Sequence, residues 1–428
     1  MTGTVRPTTA KLHLSAQTFL LSEPVRWWVT GLAGSAPVVV RSEMRVGASV
    51  WAATATFAAD VDGTVDPAQQ APTRGSYAEA DPGGLLWSML PRSGQYDDVP
   101  GRAIEPLDVD LHVEQQGIQV ADAHFRRLIV SDAVVRRPLR EGGLVGTLFA
   151  PVDGAPRPGV LVLGGSEGGL IESYAAALAG EGFAALALAY FGVDGLPSQL
   201  SMIPLEYFGR ALRWMQTQPE VDGARIAVAG ASKGGEAALL IGSTYEDIAA
   251  VVGVVPSGVA FMSIGRSPLG LRRSSWSKDG GGAPFVGAGY TWPLLRELVS
   301  RRPLQLRVFY EEAIKNEAAV TAGAIPVERI NGPVLLLSGA DDRLWPSAVL
   351  ADIAERRLTA HNHRWPHEHV SYPDCGHAFG LPFMPALTEI PHAFLGRSVM
   401  LGGTRSGTAR AAVAGWRKVC DFLHESLS

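Results

Sequence analysis

The chain has 428 residues, a length that suggests two or three domains, and its net charge of −5 gives no reason to expect nucleic acid as a partner. Its 46% apolar and 18% charged residues describe an ordinary globular protein with ample material for a core. The opening run MTGTVRPTTAKLHLSA has no long apolar stretch, so no signal peptide is expected, and no segment offers the roughly 18 uninterrupted apolar residues of a membrane span. Cys375 and Cys420 are too few for a disulfide framework and point to a reduced, cytoplasmic setting. The run Asp374-Cys375-Gly376-His377 and the group His361, His363, His367 and His369 fit no closed metal site, and the histidine group reads as a solvated loop.

Residues 1–140 read as β. Pro24–Thr30 is rich in β-formers and closed by Gly31, and Pro37–Val40 and Ser49–Phe57 follow. Leu107–Val113 alternates with period two, and His124–Val130 comes after it. Short strands at this spacing, with Gly, Pro and Asp between them, predict an antiparallel sandwich. Asp60–Gly84 reads as a long loop, anchored just beyond by Trp87 and Met89. The polar residues of this region do not converge on any chemistry.

The pattern changes over 141–428. Gly159–Leu163 is a continuous apolar run, typical of a parallel strand buried on both faces. It ends in Gly164-Gly-Ser-Glu-Gly-Gly169 and is followed by a helix pattern to Ala179 and a strand over Phe183–Ala189. Leu205–Gln216 carries Leu205, Phe208, Leu212 and Met215 on one helical face. Strands follow at Arg225–Ala229, Val251–Val255 and Gly332–Leu337, and a final helix at Thr408–Leu427. Strand and helix alternate, which predicts a doubly wound, mostly parallel sheet with ligands at the carboxyl ends of its strands. Between them, 257–327 reads as a cap-like insertion, with Ser274–Gly282 as loop and helices over Leu294–Ser300 and Glu311–Thr321. Its stretch 261–310 holds eight basic residues, Arg272 and Arg273 among them, against two acidic ones. Such a surface would attract a phosphate-bearing ligand, and it also fits a solvated cap.

The chemistry centres on Ile226–Leu240, IAVAGASKGGEAALL. An apolar strand runs into Gly230-Ala-Ser-Lys-Gly234 and then into a helix, the layout of a nucleophile elbow. Such a turn exposes the Ser232 hydroxyl and leaves the Lys233 N–H at a helix N-terminus, free to hold an oxyanion. A serine nucleophile needs a base and a group that orients the base. In α/β-hydrolases the order is serine, acid, histidine. Asp342 follows Ser232 by 110 positions, at the end of the run VLLLSGADD, and His377 lies 35 further on in a glycine-bearing loop. Asp341 competes with Asp342; the spacing of Gly339, Asp342 and Pro346 favours Asp342. The second oxyanion donor is expected from Gly164–Gly169, with the Ser166 N–H first and Gly165 close behind.

At these residues the sequence resembles the acyl-CoA thioesterase / bile acid-CoA:amino acid N-acyltransferase family. The likeness is carried by Gly75–Trp87 in the first region. In the second it is carried by Gly168–Glu172, Ala187–Tyr190, Gly230–Glu236, Ile325–Glu328 and Tyr372–His377. The resemblance implies an α/β-hydrolase with an N-terminal β-sandwich. It also implies hydrolysis or transfer of an acyl group from coenzyme A by a triad that falls on Ser232, Asp342 and His377. Serine in place of the cysteine of conjugating members favours release by water. The expectation is an acyl-CoA thioesterase that needs no cofactor or metal and acts on a small-molecule acyl thioester. Alternatives are a serine acyltransferase, an esterase or lactonase of the dienelactone-hydrolase type, and a non-catalytic binding protein.

Overall fold

The computed structural model describes residues 10–428 apart from 35, 94, 95, 97, 266–271, 288, 290 and 393–395. Arg266 of the basic stretch therefore lies outside the described residues. The chain divides into two units, Met1–Val130 with Gly380–Ala386, and Ser131–Phe379 with Leu387–Ser428.

In the smaller unit, Pro37–Val46 and Ser49–Ala58 form an antiparallel hairpin. Leu107–Gln115 pairs with Pro37–Val46, and Ile118–Leu128 pairs with Leu107–Gln115. Thr18–Leu20 adds to the edge in parallel. The alternation seen in the sequence is the alternation of burial: Val38, Val40, Met44, Val109, Leu111 and Val113 all face inward. A two-stranded ribbon, Lys11–Leu14 with Trp27–Thr30, supplies the opposing layer. Its Trp27 packs edge-to-face on Phe57, with ring centroids 6.0 Å apart.

The larger unit is built on an eight-stranded sheet. Its strands are β1 (Val134–Glu141), β2 (Leu144–Pro151), β3 (Arg157–Leu163), β4 (Ala184–Ala189), β5 (Val221–Ala231), β6 (Ile248–Val254), β7 (Val334–Gly339) and β8 (His367–Tyr372). They lie in the order 1-2-4-3-5-6-7-8. β1 and β2 pair with their neighbours antiparallel, and every other neighbouring pair is parallel. The helices are α1 (Glu172–Gly180), α2 (Leu205–Gln216), α3 (Lys233–Gly242), α4 (Trp292–Val299), α5 (Arg307–Ile314), α6 (Glu317–Gly323), α7 (Ser347–Ala360) and α8 (Arg405–Ser426). Leu205, Phe208, Leu212 and Met215 of α2 join α3 and α7 in one core against the sheet. α1 and α8 meet through Tyr174 and Trp416.

Several elements differ from the reading of the sequence. The larger sheet begins at Val134, and the compact units divide between Val130 and Ser131. β1 and β2 are antiparallel and lack the unbroken apolar run that marks a parallel strand. His367 and His369 stand on β8, not in a loop. The His369 ring lies between Ser338 Oγ, at 2.7 Å, and Asp352 Oδ1, at 2.8 Å.

The insertion is more ordered than its composition suggests. Trp276–Lys278 and Gly281–Gly282 are short strands that extend Ile203–Pro204, where loop is expected. Trp276 is fully buried, which fixes the ribbon. The single helix expected over Glu311–Thr321 is broken in two, because the Asn316 side chain caps α6 by accepting from the Ala319 N–H at 3.1 Å. Val259, Phe261, Met262, Val286 and Ala313 form a separate apolar cluster with Trp345 and Leu350.

Candidate active site

Three strand ends build the site: those of β5, β7 and β8. β5 ends at Ala231, and Ser232 follows with φ 56° and ψ −120°. A non-glycine residue in this region of backbone space costs on the order of 1–3 kcal/mol and is held by its surroundings. Here the Ser232 N–H donates to Val254 O at 2.8 Å. The flanking glycines are required by close approach. A Cβ on Gly230 would lie 2.1 Å from Gly234 O, and one on Gly234 would lie 2.3 Å from Gly164 O. The turn therefore lifts the Ser232 hydroxyl above the sheet, and α3 begins at once at Lys233.

His377 Nε2 lies 3.0 Å from Ser232 Oγ, and its Nδ1 lies 2.8 Å from Asp342 Oδ2. With the proton on Nδ1, the ring donates to Asp342 and accepts from the serine hydroxyl. Asp342 is completely buried, and its Oδ1 accepts the N–H groups of Leu344 at 2.9 Å and Trp345 at 3.2 Å. Both carboxylate oxygens are thus committed, which fixes the rotamer that faces His377. The His377 N–H donates to Leu401 O at 2.8 Å, and the Trp345 ring packs edge-on against the imidazole at 6.0 Å. Asp341 turns elsewhere: it pairs with Arg343 at 2.6 Å and accepts the Gly403 N–H at 3.1 Å.

The N–H of Lys233 is the first of α3 and has no acceptor within the helix. Gly165 lies against the nucleophile turn, since a Cβ built on it would be 3.3 Å from Ser232 Cβ. Ser166, the next residue of the Gly164–Gly169 loop, is exposed. The Tyr190 hydroxyl donates to Gly164 O at 2.5 Å and holds the loop from beneath. Arg272 and Arg273 are exposed on the insertion, apart from the hydrogen bonds that join Ser232, His377 and Asp342.

The Lys233 side chain is a further part of the site, beyond the backbone N–H expected from the sequence. That side chain is buried, with Nζ 2.6 Å from Glu236 Oε1. Burial lowers the Lys233 pKa and raises that of Glu236, each opposed by the other's charge. The available signal was a lysine and a glutamate at i, i+3 in an otherwise apolar helix. Burial also pushes the Cys375 thiol up to about 12, which leaves it unsuited as a nucleophile.

The strand order and the elbow define an α/β-hydrolase. The profile described as "BAAT / Acyl-CoA thioester hydrolase C terminal" matches residues 203–428, and "Acyl-CoA thioester hydrolase/BAAT N-terminal region" matches 22–141. The chain belongs to this acyl-CoA thioester hydrolase/BAAT family. It is 33% identical to human acyl-coenzyme A thioesterase 1 over 422 residues, 95% of this chain and 94% of that protein. It is 32% identical to mouse mitochondrial acyl-coenzyme A thioesterase 2 over 419 residues, 95% of this chain and 86% of that protein. Among solved structures, an acylaminoacyl peptidase from Pyrococcus horikoshii aligns with a TM-score of 0.44 at 12% identity, over 95% of this chain and 60% of its own.

Proposed function

We propose that this protein hydrolyses acyl-CoA thioesters to free acid and CoA through an acyl-serine intermediate on Ser232. The observation that carries the reading is the hydrogen-bonded chain from Ser232 Oγ through His377 to buried Asp342. His377 Nε2 takes the Ser232 proton as Oγ adds to the thioester carbonyl. The N–H of Lys233 and one from the Gly165–Ser166 turn hold the resulting oxyanion. The C–S bond then breaks and His377 returns the proton to the departing CoA sulfur. Water enters, gives a proton to His377 and releases the acid from Ser232, which recovers its proton. Asp342 keeps the ring in the reactive tautomer and stabilises the imidazolium. Every proton transfer runs through His377, so the sequence of steps calls on no metal or cofactor.

The relatives' names support coenzyme A as the carrier, and a cytoplasmic setting is part of the proposal. Exposed Arg272 and Arg273 would meet the phosphates of CoA, an attraction that salt weakens. The test is thiol release from a panel of acyl-CoAs of differing length and branching, with p-nitrophenyl esters alongside. Chain-dependent thiol release that vanishes in Ser232→Ala is the expected result. Rapid ester cleavage with CoA thioesters untouched would instead favour an esterase or lactonase.

A further inference from the structure

Glu236 is wholly buried one turn into α3, beneath the nucleophile. Its Oε1 collects three donors: Lys233 Nζ at 2.6 Å, the Trp276 indole N–H at 2.6 Å and the Phe261 backbone N–H at 3.1 Å. Its Oε2 is buried with no hydrogen-bond partner among the described residues, so the hydrogen bonding of this carboxylate runs to these three groups. Two of them, Phe261 and Trp276, belong to the insertion. An acidic side chain placed in the core merely to fill space would not converge three donors on one oxygen.

Each donor leads to a different part of the reaction machinery. Lys233 carries the proposed oxyanion N–H, and its ammonium is also held 5.5 Å over the Trp276 ring. Trp276 packs on Tyr190 at 5.8 Å, and the Tyr190 hydroxyl holds Gly164 O at the start of the second oxyanion loop. Phe261 packs on Trp345 at 6.2 Å, and Trp345 meets both His377 through its ring and Asp342 through its N–H. Nucleophile turn, oxyanion loop and acid–base pair are thus braced from one buried oxygen through two aromatic residues of the insertion.

We propose that Glu236 is a positioning residue. It docks the insertion under the elbow through Trp276 and Phe261, so that the oxyanion donors and His377 keep their register with Ser232. Small displacements of such groups cost rate steeply, because the reacting atoms must be held within a fraction of an ångström. The inference rests on Ser232 being the nucleophile. It goes beyond the thioesterase reading in assigning the insertion a part in assembling the site.

The test uses the full chain and two readouts: the rate at which a fluorophosphonate labels Ser232, and kcat and KM with an acyl-CoA. Trp276→Phe keeps an aromatic ring and the Lys233–Glu236 pair, and removes the indole N–H together with the volume of the second ring. Labelling and kcat should fall about tenfold with KM little changed, while the protein stays folded at the assay temperature with a lowered melting temperature. Glu236→Ala should cost less in the Trp276→Phe background than in the wild type, because the branch through Trp276 is then already lost. Labelling and kcat at wild-type rates in Trp276→Phe, or effects of the two substitutions that simply multiply, would overturn the proposal. Trp276→Phe decides alone if Glu236→Ala does not fold. The labelling rate reports the elbow without any thioester. Wild type that labels but cleaves no acyl-CoA therefore contradicts the functional reading and leaves this comparison intact.

Discussion

The strand ends of the larger unit and the insertion beside them both carry charge, and they use it in opposite ways. At the strand ends the charges of Asp342 and Lys233 are buried and committed. Asp342 has both oxygens occupied, and Lys233 faces Glu236 at 2.6 Å. On the insertion, Arg272, Arg273, Arg301 and Arg302 stand exposed. A buried charge must be paired, so its position is fixed by its partner and its role can be read from geometry. An exposed arginine gains little from any one neighbour, so its worth appears only when a ligand arrives. The buried charges should therefore govern turnover, and the exposed arginines of the insertion should govern affinity.

The largest break in that comparison is at the nucleophile. Ser232→Ala should lower turnover by about 10⁴-fold or more, read as thiol release. Asp342→Asn should lower kcat by up to about 10⁴-fold, since the amide can favour the wrong histidine tautomer. Asp341→Asn removes a contact with Arg343 and Gly403 and should cost less than about tenfold in the same assay. The contrast between the two neighbours separates the orienting acid from the turn-capping one.

Charge reversal on the insertion should act on binding. Arg272→Glu with Arg273→Glu should raise KM for an acyl-CoA by roughly threefold to tenfold with kcat held, and the gap should close as salt rises. A matching fall in kcat would place these residues with the charges that govern turnover. The smallest effect is expected at the thiols. Burial raises the pKa of Cys375 to about 12 and also raises that of Cys420, so neither should be alkylated by iodoacetamide in the folded protein at pH 8. Modification that appears only in denaturant checks this.

What could be read from the sequence follows the same division. The parallel strands β3 to β7 announce themselves because burial on both faces demands unbroken apolar runs. The elbow is legible because only glycine fits at Gly230 and Gly234, where a Cβ would strike backbone. Ser232, Asp342 and His377 follow from chain order, and the structure brings all three within hydrogen-bond distance. β1 and β8 escaped because edge strands carry mixed side chains, and β2 because Gly146 and Thr147 interrupt its apolar run. The insertion's ribbon escaped because Trp276 is held by a glutamate 40 positions earlier, a long-range pairing that no local pattern encodes. The Lys233–Glu236 pair is not legible locally, because the i, i+3 spacing alone does not show that both side chains are buried.

The most direct test of the central claim is to trap the intermediate. The enzyme is mixed with an acyl-CoA, quenched in acid within milliseconds, digested and mapped by mass spectrometry. The account predicts an acyl group on the Ser232 peptide, formed with a burst of free CoA close to one per site when deacylation is the slower step, and absent from Ser232→Ala. Undiminished thiol release in Ser232→Ala, with no adduct on the Ser232 peptide of the wild type, would contradict it.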